Sequence, residues 1–276
     1  MSPSDLPGSR LVLTAGAATD VGRVRTHNED SGLAEGGLFL VADGMGGHAA
    51  GEVASGIAVD TMRELVGRHD LTAEAVGEQI GLANRRILDE MAADPDKQGM
   101  GTTVSGIALV VTGGTDHWAV FNVGDSRVYR LIDGALMAMT VDHSEVRELV
   151  DAGVITAEEA RTHPKRNVVT RSLGTTYAAT PDVRVVPPHA GERFLVCSDG
   201  LTGELTDDQV RDLLVRHADP QRAAEALVRA AVEAGGRDNV TVVVVDLGEA
   251  GADSSQTVTS PRAHVDTAPR SSHEGS

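Results

Sequence analysis

The feature that most restricts the fold is a set of strand-length apolar runs that stop at an aspartate beside a glycine. Leu38–Ala42 leads into Asp43-Gly44, Phe194–Cys197 and Ser198 lead into Asp199-Gly200, and Trp118–Val123 leads into Gly124-Asp125. Asp238 stands just before the run Val240–Asp246, and two more runs cover Val104–Thr112 and Val128–Ile132. Helical patterns occupy 49–67, 73–93, 206–217 and 220–234. In the first, Ala54, Ile57, Ala58, Met62, Leu65 and Val66 recur at helical spacing and make one apolar face. Asp219-Pro220 is a helix start and Gly235-Gly236 a stop. Strand clusters separated by helix pairs, without strict βαβ alternation, predict a layered α+β domain.

That domain spans about 10–248 of the 276 residues, 41% of them apolar, enough for one large core. Residues 1–9 read as a frayed end. The stretch 249–276, rich in Ser, Thr, Pro and Ala, cannot bury enough surface to offset its ordering entropy and is expected to be disordered. The segment 144–172 is polar, holds two short helical stretches and interrupts the strand pattern; it is read as a mobile flap. A net charge of −17 opposes binding to nucleic acid or an anionic bilayer. One cysteine, no apolar leader and no membrane-length run together predict a cytoplasmic protein.

An Asp-Gly pair after an apolar run is first of all a hairpin turn, and Asp133-Gly134 has that look. The other acids differ in what flanks them. Carboxylates at strand ends can converge at one edge of a sheet, and their repulsion then calls for cations. The sharpest signal is DGMGGH, Asp43 to His48, running into a helix. Its glycines let backbone approach a ligand and free the Gly44 carbonyl. A phosphate-cradling nucleotide loop fits poorly, because the segment opens with an acid and lacks the lysine of such loops. CxxC and HExxH spacings are absent, which argues against zinc. Cys197 lacks an arginine six positions on, where Gly203 stands, so the cysteine-phosphatase signature is missing. Cys197, Trp118 and Phe121 are read as core residues; His27 and Met45 receive no role.

Arg25…Asn28-Glu29-Asp30, DGMGGH, Gly101-Thr102-Thr103, Val123 to Arg127, Asp142-His143-Ser144, Ser198 to Leu201 and Arg237 to Thr241 occur in the order seen in metal-dependent protein phosphatases. Over about 11–247 the chain resembles the compact bacterial form of these type 2C Ser/Thr phosphatases. The resemblance implies a four-layer αββα sandwich with a metal site at one edge, hydrolysing phosphoserine and phosphothreonine on proteins in opposition to a kinase. By similarity Asp43 would bridge two ions, Mg²⁺ or Mn²⁺, with the Gly44 carbonyl on one and Asp199 and Asp238 on the other. Asp125, with Asp199, would hold a third, weaker ion. Glu29, Asp30 and Asn239 would hold metal-bound waters, Arg25 the phosphate, and His48 would be the general acid. Asp142, His143 and Arg171 lie on family motifs but are read as architecture. Two rivals stand beside this reading: a phosphatase of one regulator in an anti-sigma-factor pathway, and an inactive phosphoprotein binder. The second needs broken ligands, which the sequence lacks. The partners expected are phosphorylated proteins, and the chain is expected to be a monomer.

Overall fold

The computed structural model describes residues 11–46, 50–176 and 180–249. Its strands are β1 (Leu11–Asp20), β2 (Asp30–Glu35), β3 (Leu38–Met45), β4 (Gly101–Thr102), β5 (Val104–Thr112) and β6 (Thr115–Val123). There follow β7 (Arg127–Ile132), β8 (Ala135–Ala138), β9 (Asp182–Val186), β10 (Arg193–Cys197) and β11 (Val240–Glu249). The helices are α1 (Ala50–Arg63), α2 (Ala73–Ala93), α3 (Glu145–Asp151), α4 (Ala157–Thr162), α5 (Asp199–Thr202), α6 (Asp207–Arg216) and α7 (Pro220–Ala234). The expected frayed segment 1–9 lies outside the described residues, as does the expected disordered tail 249–276 except for Glu249, which ends β11 opposite Leu11.

Two antiparallel sheets form the centre, one ordered β1-β11-β10-β7-β8 and the other β2-β3-β5-β6-β9, with β4 beside β3. Side-chain alternation explains why the strands read as unbroken apolar runs. Phe39 and Val41 of β3 meet Phe194 and Val196 of β10 and Val243 and Val245 of β11 between the sheets. Their neighbours Leu38, Leu40 and Ala42 face outward onto α1 and α2. On the far side Leu195, Cys197, Val242 and Val244 face α6 and α7. Each central strand is buried on both faces, so both are mostly apolar, and the few polar residues on them, such as Ser105 and Arg193, are hydrogen-bonded. Three apolar layers thus separate four layers of secondary structure, the αββα sandwich expected.

Local signals set the helix ends. The Thr206 side chain accepts from Gln209 N–H while Gln209 accepts in return from Thr206 N–H, which starts α6. Asp219 caps α7, with Pro220 at its first position. The first helix stops at Arg63, four residues before the spacing predicts, because its end tightens into i→i−3 bonds from Glu64, Leu65 and Val66 before Gly67 at φ +80°. Leu65 is nonetheless buried. Asp133 (φ +50°) and Gly134 (φ +78°) make the hairpin turn expected of them.

Five strands lie outside the apolar runs: the two-residue β4, β8 across the Asp133-Gly134 turn, and β1, β2 and β9. Gly16 interrupts β1 where the backbone of Gln221 in α7 leaves no room for a Cβ. In β2 the buried polar residue Asp30 belongs to the site below. As a short edge strand, β9 leaves Val185 and Arg184 exposed. No helix among the described residues is long and apolar enough to cross a membrane.

One buried cation ties the α6–α7 corner to the sheet. Arg193 donates to both Asp246 oxygens at 2.6 Å and to the carbonyls of Leu214, His217 and Ala218, the orphan acceptors after α6. Arg193→Ala would leave Asp246 and those carbonyls without partners. Urea unfolding in chelator should then show a loss of ~3 kcal/mol, and a loss under about 1 kcal/mol would refute this role.

Candidate functional site

Antiparallel pairing brings strand ends from both sheets to one edge. The end of β3 lies beside the start of β2, so Asp43 stands directly opposite Asp30. The end of β6 lies beside the start of β5, which places the Gly124–Ser126 loop next to Thr103. In the other sheet the end of β10 meets the start of β11, and Asp199 and Asp238 flank that junction. Asp199 is not in a strand but opens the short helix α5.

The five aspartates feel one another. Burial, then the charges of Asp30, Asp199, Asp125 and Asp238, hold the Asp43 carboxyl well above the ordinary carboxylate range. Burial pushes Asp30 up to about 7, aided by Asp199 and Asp238 and opposed by hydrogen bonds from Ser198 and Thr241. Burial and the charge of Asp238 raise Asp199 to about 6, although a hydrogen bond donated by Asp43 works the other way. Asp125 is also raised well above its usual range, by burial and then by Asp199 and Asp142. Among the described residues the guanidinium paired within this group is that of Arg25, whose Nη2 donates to Asp238 at 2.9 Å and which stands half-exposed.

Asp30 is almost wholly buried, with Oδ2 accepting from Ser198 Oγ at 2.8 Å. Its Oδ1 is the buried side-chain polar atom without a partner among the described residues. A buried carboxylate oxygen left unsatisfied is costly, and a cation or a water held by one would satisfy it. No group of three or more His, Cys, Asp or Glu side chains among the described residues is arranged to hold an ion by itself. A cation here would therefore take part of its shell from the Gly44 carbonyl and from water. Every donor available is oxygen, which suits a hard divalent ion.

Backbone stitching sets the approach of Gly44. Its N–H donates to the Glu29 carbonyl at 3.1 Å, and a Cβ at residue 44 would collide with the Gly51 and Glu29 carbonyls. Gly51 N–H, at the start of α1, donates to the Glu29 carboxylate, and burial raises the pKa of that acid. Asn239 completes the seam: its Oδ1 accepts from Glu29 N–H, and its Nδ2 donates to the carbonyls of Val21 and His27.

Arg25, Glu29, Asp30, Asp43, Gly44, Asp125, Asp199, Asp238 and Asn239 thus share one edge, while His48 lies outside the described residues. Asp142 makes a two-pronged pair with Arg127, and His143 accepts from Gly124 N–H and bonds Asp182, as does Arg171. Buried Cys197, its thiol pushed up to about 12 by burial, cannot serve as a thiolate nucleophile. Thr103 and Ser198 bond directly to the aspartates' segments but carry no role in the sequence reading. Both stand just outside a strand and on motifs of the resemblance, but nothing in the local sequence shows what their hydroxyls touch.

Residues 23–233 match the family described as Protein phosphatase 2C. The chain is 40% identical over 240 residues to the serine/threonine protein phosphatase PstP of Mycobacterium tuberculosis, covering 86% of this chain and 45% of that protein. It thus spans less than half the length of that relative. It is 37% identical to the serine/threonine phosphatase Stp of Listeria monocytogenes, covering 86% of this chain and 98% of the relative. The crystal structure of the M. tuberculosis phosphatase superposes with a TM-score of 0.81 at 37% identity, over 86% of this chain and 99% of the other. The catalytic domain of PstP in complex with two manganese ions gives 0.80 at 36% identity, over 87% and 100%.

Proposed function

This chain belongs to the protein phosphatase 2C family, and from that premise we propose that it hydrolyses phosphoserine and phosphothreonine esters on proteins, opposing a Ser/Thr kinase. The observation that carries the proposal is the gathering of five aspartates from five chain segments, one of them with a buried carboxylate oxygen that has no partner. Such a cluster stores repulsion that divalent cations relieve. The donor set fits two such ions, Mg²⁺ or Mn²⁺, and the PstP structure with two manganese ions supports that choice.

Asp43, the Gly44 carbonyl, Asp199 and Asp238 would together hold the pair, and Asp125 with Asp199 would hold a third more weakly. Bound there, such cations lower the pKa of water to supply a nucleophile at neutral pH. Asp30, Glu29 and Asn239 would orient the waters of that shell. Arg25 is half-exposed beside Asp238, and its planar fork suits two phosphate oxygens. His48 would donate a proton to the departing serine or threonine oxygen, a poor leaving group without it. Segment 144–172, carrying α3 and α4, would act as a flap over the substrate, and the domain 10–248 would carry catalysis. A cytoplasmic monomer acting on phosphoproteins suits the charge of −17, which opposes nucleic acid and anionic lipid.

Chelation should silence hydrolysis of a phosphothreonine peptide, and Mn²⁺ or Mg²⁺ should restore it. Thiol alkylation should change nothing, since Cys197 is buried. Full activity in excess chelator, or loss of activity on alkylation of the folded protein, would refute the proposal.

A further inference from the structure

We propose that Thr103 is a positioning residue that couples the Asp43 segment to the Asp125 loop, so that the acids of the two are set as one unit. The inference rests on the metal-dependent reading above and assigns a task to the Gly101-Thr102-Thr103 stretch, which that reading leaves unused.

Thr103 is 1% exposed, and its N–H and hydroxyl reach both segments. Its N–H donates to the Asp43 carbonyl at 2.9 Å, and its Oγ1 accepts from Asp43 N–H at 2.9 Å. The backbone of Asp43 is thereby held at both ends by one residue, and Thr102 Oγ1 adds a second donor to the same carbonyl at 2.9 Å. The same Thr103 Oγ1 lies 2.8 Å from Ser126 Oγ, one residue beyond Asp125. On the other side of Asp125, Gly124 adopts φ +115°, and a Cβ there would collide with Thr103 Cγ2 and Cβ. The hydroxyl therefore grips one flank of Asp125 while the methyl fills the space against the other.

The two halves of this side chain can be separated. Thr103→Val keeps the shape but leaves Asp43 N–H and Ser126 Oγ without their shared partner, inside a buried seam. Thr103→Ser keeps the hydroxyl and removes only the methyl. Because neighbours that orient metal ligands are worth ~10–100-fold in metal affinity, Thr103→Val should weaken Mn²⁺ binding at least ~tenfold, while Thr103→Ser should stay within about threefold of the wild type.

The test is calorimetric titration of the metal-free full chain with Mn²⁺, with melting temperatures in chelator recorded beside it. The expected result is a weakened Mn²⁺ isotherm for Thr103→Val, recovered in Thr103→Ser, with folded protein in every case. At saturating Mn²⁺ the valine variant should also show a kcat loss larger than any change in KM for an aryl phosphate. Wild-type affinity in Thr103→Val would overturn the inference while leaving the metal reading intact. So would a valine variant that melts far lower in chelator yet keeps the wild-type gain in melting temperature on adding Mn²⁺, since the threonine would then serve folding alone. Should the valine variant fail to fold, Ser126→Ala, which removes the same coupling from the loop side, decides in its place: undiminished Mn²⁺ affinity there overturns the inference. A wild-type chain that takes up no Mn²⁺ would instead refute the metal reading itself.

Discussion

Replacing Asp43 by asparagine should cut turnover of a phosphopeptide by ~10³-fold or more, above the ~10–100-fold that loss of an outer partner costs. The same change should make the metal-free protein more stable. Asp43 stands opposite Asp30 in the β2–β3 ladder and shares its surroundings with Asp125, Asp199 and Asp238. Like charges directly opposite on a ladder destabilise it. An asparagine keeps the shape, removes one ionisable group and leaves the Thr102 and Thr103 bonds to the residue 43 backbone in place. In chelator at pH 8 the melting temperature should rise by ~4 °C, what about 1–2 kcal/mol does to a domain of this size. Sites that bind charge commonly trade stability for function in this way. Scanning calorimetry and an assay at saturating Mn²⁺ check both halves. Retained turnover, or a lower melting temperature without metal, would refute the assignment.

The second large effect is on pH dependence. Without metal, stability should fall as the pH rises from about 4 to about 7, opposite to the trend set by salt-bridged carboxylates. The sign follows from proton counting. In the unfolded chain an aspartate releases its proton near pH ~3.9. In the folded chain Asp199 keeps its proton to about 6 and Asp30 to about 7, with Asp43 and Asp125 also raised. Across that window the native state holds more protons than the unfolded state. Its stability is full below the unfolded value and declines until the folded groups ionise. Glu204, lowered by its pairing with Arg237, works in the other direction, but its gain is complete by about pH 5. Each retained proton is worth ~1.4 kcal/mol per pH unit, so the melting temperature in chelator should drop by ~5–10 °C between pH 5 and pH 8. Mn²⁺ should reverse the trend, because a cation displaces those protons and binds harder as they leave. A flat profile in chelator, or a metal-induced gain no larger at pH 8 than at pH 5, would show that the acids are not a coupled cation site.

Several elements follow from residue order alone. The capping box at Thr206 and Gln209 and the Asp219-Pro220 start of α7 act within a few residues, so local spacing is enough to reveal them. The same holds for the Asp133-Gly134 hairpin. Runs such as Val104–Thr112 and Phe194–Cys197 are legible because burial on both faces leaves few polar positions to blur them. The end of α1 and the strands β1, β2 and β9 are less legible. Each is shaped by a distant neighbour or by exposure at an edge, as Gly16 is by the backbone of Gln221.

For the site, the sequence determined the candidates: acids placed where apolar strands stop, in an order that resembles one family. Which of those acids share a field, that Asp30 is left with a bare buried oxygen, and that Arg25 lies on Asp238 were decided only by the tertiary structure. So was the grip of Thr103 on two ligand-bearing segments. The reason is physical. Strand ends are local events, but carboxylate repulsion, desolvation and hydrogen bonding across a sheet edge depend on distances between residues more than 200 positions apart in the chain, which no local pattern encodes.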